Sequence, residues 1–183
     1  MVKTNMMSKQ ILGLSIWSIA FIAGYLVISP AFAPVPFTFT LFLAGNLIWI
    51  CTVDLEGHRI PNINVILIAL AGLVLVLVTN PEALSQRLLD TAIVLIVMYT
   101  ISAVAKYMSK NQAIGFGDVK LLSAATVWLG MQGIYAATIS AFAAGLLFVL
   151  VGVIAGKRKF NQPIALGPFI SLGIWGAWLF SLS

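Results

Sequence analysis

Charge is what this sequence has least of. Only 8% of its 183 residues are Asp, Glu, Lys or Arg, while 61% are apolar and the mean hydropathy is +1.08. Soluble globular domains carry roughly 25% charged residues, so an ordinary water-facing globule is excluded. Cysteine is almost missing as well. The one thiol, Cys51, lies inside an apolar run and reads as a small apolar filler, leaving no disulfide framework and no multi-cysteine metal site. Lys and Arg number 10 against 5 acids, a formal charge of +5. The basic residues are scattered between apolar stretches and form no aromatic-interleaved patch, which argues against nucleic acid as a partner and for a role in membrane topology.

What is abundant is apolar sequence in long runs, at about 11–29, 37–53, 63–79, 90–106, 119–130, 134–156 and 164–182. Most approach the roughly 20 residues a helix needs to cross a bilayer. The expected fold is therefore all-α: a polytopic membrane protein of about seven transmembrane helices, with residues 1–183 forming one membrane-embedded domain. The fifth span is the least distinct, because residues 119–156 carry a single charge, Lys120. One straight helix there would be about 55 Å long, and Leu129-Gly130-Met131-Gln132-Gly133 supplies the break. Merging the fifth span, or cleaving the first, would leave six. Cleavage enters because Met1 to Ala33 has a basic start, an apolar stretch and an Ala-Phe-Ala ending like a signal peptide; its apolar run exceeds the roughly 7–15 residues of such a core, and a retained anchor is expected.

Lys and Arg stay on the cytoplasmic side of membrane spans. With the N-terminus inside, nine basic residues (Lys3, Lys9, Arg59, Lys106, Lys110, Lys120, Lys157, Arg158 and Lys159) fall inside and one, Arg87, outside. Short outer loops are then expected at Pro30 to Pro36, Asn80 to Leu89, and 129–133. Lys157-Arg158-Lys159 reads as a topology anchor that can also touch anionic lipid. Trp49, Trp128, Trp175 and Trp178, toward span ends, read as interfacial anchors.

An ionised carboxylate at mid-membrane costs about 2.5–3.5 kcal/mol even on the lenient insertion scale, so acids near the bilayer are functional candidates by default. Glu82 and Asp90 fall in the expected outer loop, where solvation explains them, and Glu56 in a polar loop beside His58 and Arg59. Two remain at inner span ends: Asp54 and Asp118. Asp54 opens Asp-Leu-Glu-Gly-His-Arg-Ile-Pro-Asn, in which Pro61 forces a boundary before the third helix and Asn62 is placed to cap it. Capping alone explains Pro61 and Asn62 as well as a place in a site does. Asp118 sits in Gly115-Phe116-Gly117-Asp118-Val119-Lys120, whose glycines permit positive φ and close approach of another segment, and whose acid falls in the first turn of a helix. Both carboxylates lie at the same face by an orientation derived without them. Brought together, two carboxyls share a proton; one then takes a proton from water while the other donates to a carbonyl oxygen, the pairing peptide hydrolysis requires. Lys120 either pairs with an acidic substrate residue or snorkels to the inner interface.

Asp54 with Arg59-Ile60-Pro61-Asn62, then Gly115-Phe116-Gly117-Asp118-Val119-Lys120-Leu121, then Gly167-Pro168-Phe169 with Gly173, resemble the type IV prepilin peptidases. The resemblance runs in order from about residue 41 to 175. It implies a membrane aspartyl endopeptidase of the bacterial inner membrane that removes leader peptides from prepilins or pseudopilins at the cytoplasmic face, alongside membrane lipid and other pilus-assembly proteins, without a metal or cofactor. It implies Asp54 and Asp118 as catalytic residues, with Pro61, Asn62, Gly115, Gly117, Lys120, Gly167 and Pro168 shaping the site. Larger members carry an inner-side domain with paired Cys-x-x-Cys motifs linked to N-methylation; the expectation here is no separate methyltransferase domain, as in the short peptidase-only branch resembling TadV/CpaA of tight-adherence pilus systems. Two alternatives stand beside it. A presenilin or signal-peptide-peptidase type protease also uses Asp and a later Gly-x-Gly-Asp, but its Pro-Ala-Leu signature is met only loosely by Pro163-Ile164-Ala165-Leu166, and the Ile-Pro-Asn hairpin favours the first reading. A proton or ion carrier, or a pilus assembly subunit, is the other; a carrier places its acids nearer the midplane, between symmetric halves.

Overall fold

The computed structural model describes residues 13–23, 37–108, 115–157, 159, 162 and 164–182. Lys3, Lys9, Lys110, Arg158, Pro163, the 30–36 loop and the signal-peptide-like ending at Ala33 lie outside the described residues. Every described element is a helix: α1 (Gly13–Ala23), α2 (Phe37–Gly57), α3 (Asn62–Thr79), a 3₁₀ turn (Pro81–Ala83), α4 (Leu84–Met108), α5 (Phe116–Ile154) and α6 (Gly167–Leu182). By length and apolar composition, four stretches can cross a membrane: α2, α3, Pro81–Met108 and α5. The described part of α1, and α6, are shorter apolar helices, so the expected count of about seven spans is not reached on this criterion.

α5 explains part of the difference, because two expected spans form one element of 39 residues with a single interruption at Gly130, where φ is 65° and ψ −175°. That backbone conformation is open essentially only to glycine. The chain turns back there. A Cβ on Gly145, farther along α5, would touch Leu166 at 3.6 Å and Phe169 at 3.8 Å, beside the start of α6, so the second half of α5 returns toward the end where α5 began. Residues 118–130 are buried on all sides apart from half-buried Lys120, which makes the first half of α5 the central helix of the bundle. The second half buries one stripe, Ile134, Ala137, Ala141 and Gly145.

Two side chains of α4, one turn apart, meet the break. Asp90 is 5% exposed and its Oδ2 accepts from the Met131 N–H at 3.2 Å, while its Oδ1 accepts from Gln86 at 2.8 Å. The Arg87 guanidinium lies where a Cβ on Gly130 would fall. This corrects the expected outer loop from Asn80 to Leu89: only Asn80 and the 3₁₀ turn are loop, and Asp90 is a buried helical residue that caps a second helix. Gly130→Ala is accordingly expected to destabilise the protein by about 1–3 kcal/mol, from strain at a glycine-only conformation, plus the contact with Arg87. Thermal unfolding in detergent reads this as a fall in Tm of several degrees; an unchanged Tm contradicts the assigned break.

Lipid tails are as apolar as the helices, so association between spans rests on close packing over small residues and on interhelical hydrogen bonds, the latter averaging about 0.6 kcal/mol each. Both are present. A Cβ on Gly72 of α3 would lie 2.7 Å from the Trp128 ring, whose Nε1 donates to the Ile68 carbonyl at 2.8 Å. Gly173 of α6 packs against the Ala137 carbonyl of α5. Trp175 donates to the Phe21 carbonyl at 3.1 Å and Trp178 to Thr40 Oγ1 at 3.2 Å. Three of the four tryptophans expected as interfacial anchors are thus core residues, each with its indole N–H satisfied across a helix pair; only Trp49 is exposed. Cys51 is fully buried, as a filler should be.

Candidate active site

One end of the bundle collects the C-terminus of α2 and the N-termini of α3, α5 and α6 around a cavity of about 470 Å³. α2 stops because His58 adopts φ 49°, its N–H bonding the Asp54 carbonyl at 2.9 Å, a left-handed cap on a residue other than glycine. Pro61 is extended at φ −65° and ψ 125°, so α3 starts afresh at Asn62. The hairpin between them leans on α5: a Cβ on Gly117 would approach the Ile60 Cβ to 3.0 Å. Close approach is therefore what Gly117 provides. Positive φ, also expected for this pair, is absent from Gly115 and Gly117 and belongs instead to Gly130 and Gly156 among the described glycines.

Asp54 and Asp118, 64 positions apart in the sequence, both line this cavity. They are 4% and 8% exposed. Each is held by one backbone donor at a helix start. The Gly115 N–H donates to Asp118 Oδ2 at 3.2 Å across the first turn of α5. The Gly167 N–H, opening α6, donates to Asp54 Oδ2 at 2.9 Å, with the positive end of that helix aimed at the carboxylate. A Cβ on Gly167 would stand 2.7 Å from Asp54 Oδ2 and 2.9 Å from its Cγ. The chain can offer this bond only with no side chain there. Pro168 follows, buried, at the second helical position.

Lys120 is half-buried on the cavity wall, its Nζ donating to Asn62 Oδ1 at 3.2 Å and lying 4.5 Å from the Phe116 ring centre. Asn62 does not cap α3 as expected: Pro61 occupies the cap position, with no side-chain cap hydrogen bond, and the Asn62 amide oxygen takes the ammonium instead. His58 and Arg59, which the sequence puts in a polar loop, both line the cavity, as do Ile164, Ala165 and Leu166. The expected Glu56 loop position is the exposed last turn of α2, outside the cavity lining. Among the described residues no three His, Cys, Asp or Glu side chains come together as a metal site. A larger groove of about 730 Å³ runs between α5 and α6, lined by Gly133, Ala136, Ser140, Gly173 and Gly176 among others, and contains no titratable side chain. The two buried carboxylates line the smaller cavity.

Residues 41–150 match the type IV leader peptidase family. The chain belongs to that family. The matched segment contains both Asp54 and Asp118. Individual relatives are named prepilin leader peptidase/N-methyltransferase. One, from Burkholderia pseudomallei (strain 1026b), is 26% identical over 131 residues, 72% of this chain and 42% of that protein. Those from Pectobacterium carotovorum subsp. carotovorum and Dichelobacter nodosus are 25% and 24% identical, covering 73% and 80% of this chain and 48% and 50% of theirs. The chain thus spans about half the length or less of these curated relatives. No solved structure matches.

Proposed function

We propose that the chain is a membrane aspartyl endopeptidase that removes the N-terminal leader of type IV or Flp-like prepilins at the cytoplasmic face of the bacterial inner membrane. The observation that carries the reading is the convergence of Asp54 and Asp118 on one cavity, each oriented by a helix-start N–H. Those bonds engage Oδ2 of each carboxylate and leave Oδ1 for water and substrate. With one proton shared by the pair, the ionised carboxylate takes a proton from water as its oxygen attacks the scissile carbonyl carbon, and the protonated partner gives its proton to the carbonyl oxygen. The resulting diol collapses, the C–N bond breaks, and a proton passes to the leaving amine. Gly115 and Gly167 position the acids; Pro61, Asn62, Gly117, Lys120 and Pro168 frame the space. Prepilins or pseudopilins are the proposed partners, with lipid around the helices and other pilus-assembly proteins near them. All of 1–183 is read as one membrane-embedded peptidase domain.

Charge supports the proposed face. Arg59 and Lys120 line the cavity, and Lys106 closes α4 toward the same end. Arg87 stands at the opposite end, against Gly130. That asymmetry supports a cavity on the cytoplasmic side. Thiol labelling checks it, since buried Cys51 stays silent. Lys157→Cys should react only with reagent admitted to the cytoplasm, and Glu82→Cys with impermeant reagent from outside; the reverse pattern would put the carboxylates on the wrong side. The function itself is tested by co-expressing the chain with a candidate prepilin: the precursor should shorten by its leader only when the chain is present. A precursor left at full length across a panel of type IV and Flp-like prepilins counts against the assignment.

A further inference from the structure

Resting on the peptidase reading, we infer that Lys120 is a specificity-determining residue, binding an acidic side chain of the substrate close to the scissile bond. The ammonium has two contacts that orient it. Asn62 Oδ1 at 3.2 Å and the Phe116 ring at 4.5 Å fix it from two sides, and Tyr99, edge-on to that ring at 5.9 Å, holds the ring in turn. Neither contact neutralises it, since an amide oxygen and an aromatic face both leave the positive charge intact.

The two carboxylates in the same cavity do not pair with Lys120. Each has one oxygen engaged by a backbone N–H, and no ion pair of either with Lys120 is found among the described residues. The cavity lining holds Arg59 and Lys120 against Asp54 and Asp118, with the His58 imidazole beside them. Fully ionised, the four balance; with one proton on the carboxylate pair, as hydrolysis requires, the lining carries a net positive charge. An ammonium that only snorkelled would extend into water. This one lies against α3 and a ring on the cavity wall, so a substrate carboxylate entering the cavity meets it already oriented.

Asp118 and Lys120, two positions apart at the start of α5, line one cavity, so the carboxylate sits on the substrate segment that enters this cavity with the scissile bond.

The test measures cleavage by the full chain in detergent on a leader-bearing peptide and on variants in which each acid near the cleavage site is replaced in turn by its amide. With the wild type, one such replacement should raise KM about tenfold with kcat little changed. Lys120→Met should raise KM for the parent peptide by a similar factor and should lose no further affinity with that amide variant. Lys120→Arg should keep most of the parent affinity, and Lys120→Glu should regain activity when the same substrate position carries Lys. Additive losses from Lys120→Met and the amide substitution overturn the inference, and so does an equal KM rise for every peptide, which marks Lys120 as merely structural. Should Lys120→Met be too unstable to assay, the Lys120→Glu and charge-swapped substrate pair decides alone. Failure of the wild type to cleave any peptide is a different result and removes the peptidase reading itself.

Discussion

Asp54→Asn and Asp118→Asn are each expected to lower leader removal by about 10³-fold or more, while the protein still accumulates in the membrane. General acid–base catalysis supplies about 10²–10⁴-fold per positioned group, and an amide can neither take a proton from water nor give one to a carbonyl oxygen. The substitutions are nearly isosteric. The Gly167 N–H can still donate to the amide oxygen of the first variant, and the Gly115 N–H to that of the second, so the helix ends keep their contacts. The double variant should be little worse than either single one, because groups that act as a unit fail together. Processing is read as the ratio of precursor to mature pilin, normalised to the amount of chain. Glu56→Gln, outside the cavity lining, should retain most activity. Near-normal processing by either aspartate variant would remove the acid-base pair from the account.

Gly167→Ala should cost nearly as much, about 10²-fold or more in kcat/KM, without touching an ionisable group. A methyl there falls 2.7 Å from Asp54 Oδ2 and 3.0 Å from its Cβ, so rotating the carboxylate clear relieves only part of the overlap. Either the carboxyl turns away and loses the 2.9 Å bond from the Gly167 N–H, or the start of α6 withdraws. Both displace the carboxyl by a large fraction of an ångström, and misplacement of about 1 Å can cost roughly 10² in rate. Gly45→Ala is the matched control, because a Cβ at Gly45 meets nothing within 4 Å and alanine favours the helix. Equal activity of the two alanine variants would mean that the α6 start does not hold Asp54.

The apolar runs placed α2, α3, α4 and α6 to within a few residues at most ends, since run length and a polar boundary are enough where lipid is the solvent. They also put Asp54 and Asp118 at a common end, because charge is so costly in the bilayer that an acid there stands out. The groups that orient those acids were less visible. A backbone N–H has no letter of its own, so the bond from Gly167 to Asp54 follows only from how α6 abuts α2. Asp90 was misjudged for a related reason. The break at Gly130 creates orphan N–H groups that a buried carboxylate can satisfy, and nothing local to Asp90 announces a helix end about 40 positions later. The tryptophans near span ends fitted the interfacial rule until the packing showed three of the four indoles bonded inside, to α3, α1 and α2. Lys120 was legible as a cation beside the acid, but its tether to Asn62 depends on Pro61 having taken the cap position.

The most direct measurement of the central claim uses the purified chain alone in detergent with a purified prepilin, wild type beside Asp118→Asn, and identifies the products by mass spectrometry. The account predicts that the wild type yields two fragments from hydrolysis of one bond at the leader boundary, and that the variant yields only intact precursor. Fragments at the same rate from both proteins, or intact precursor from both, would contradict it.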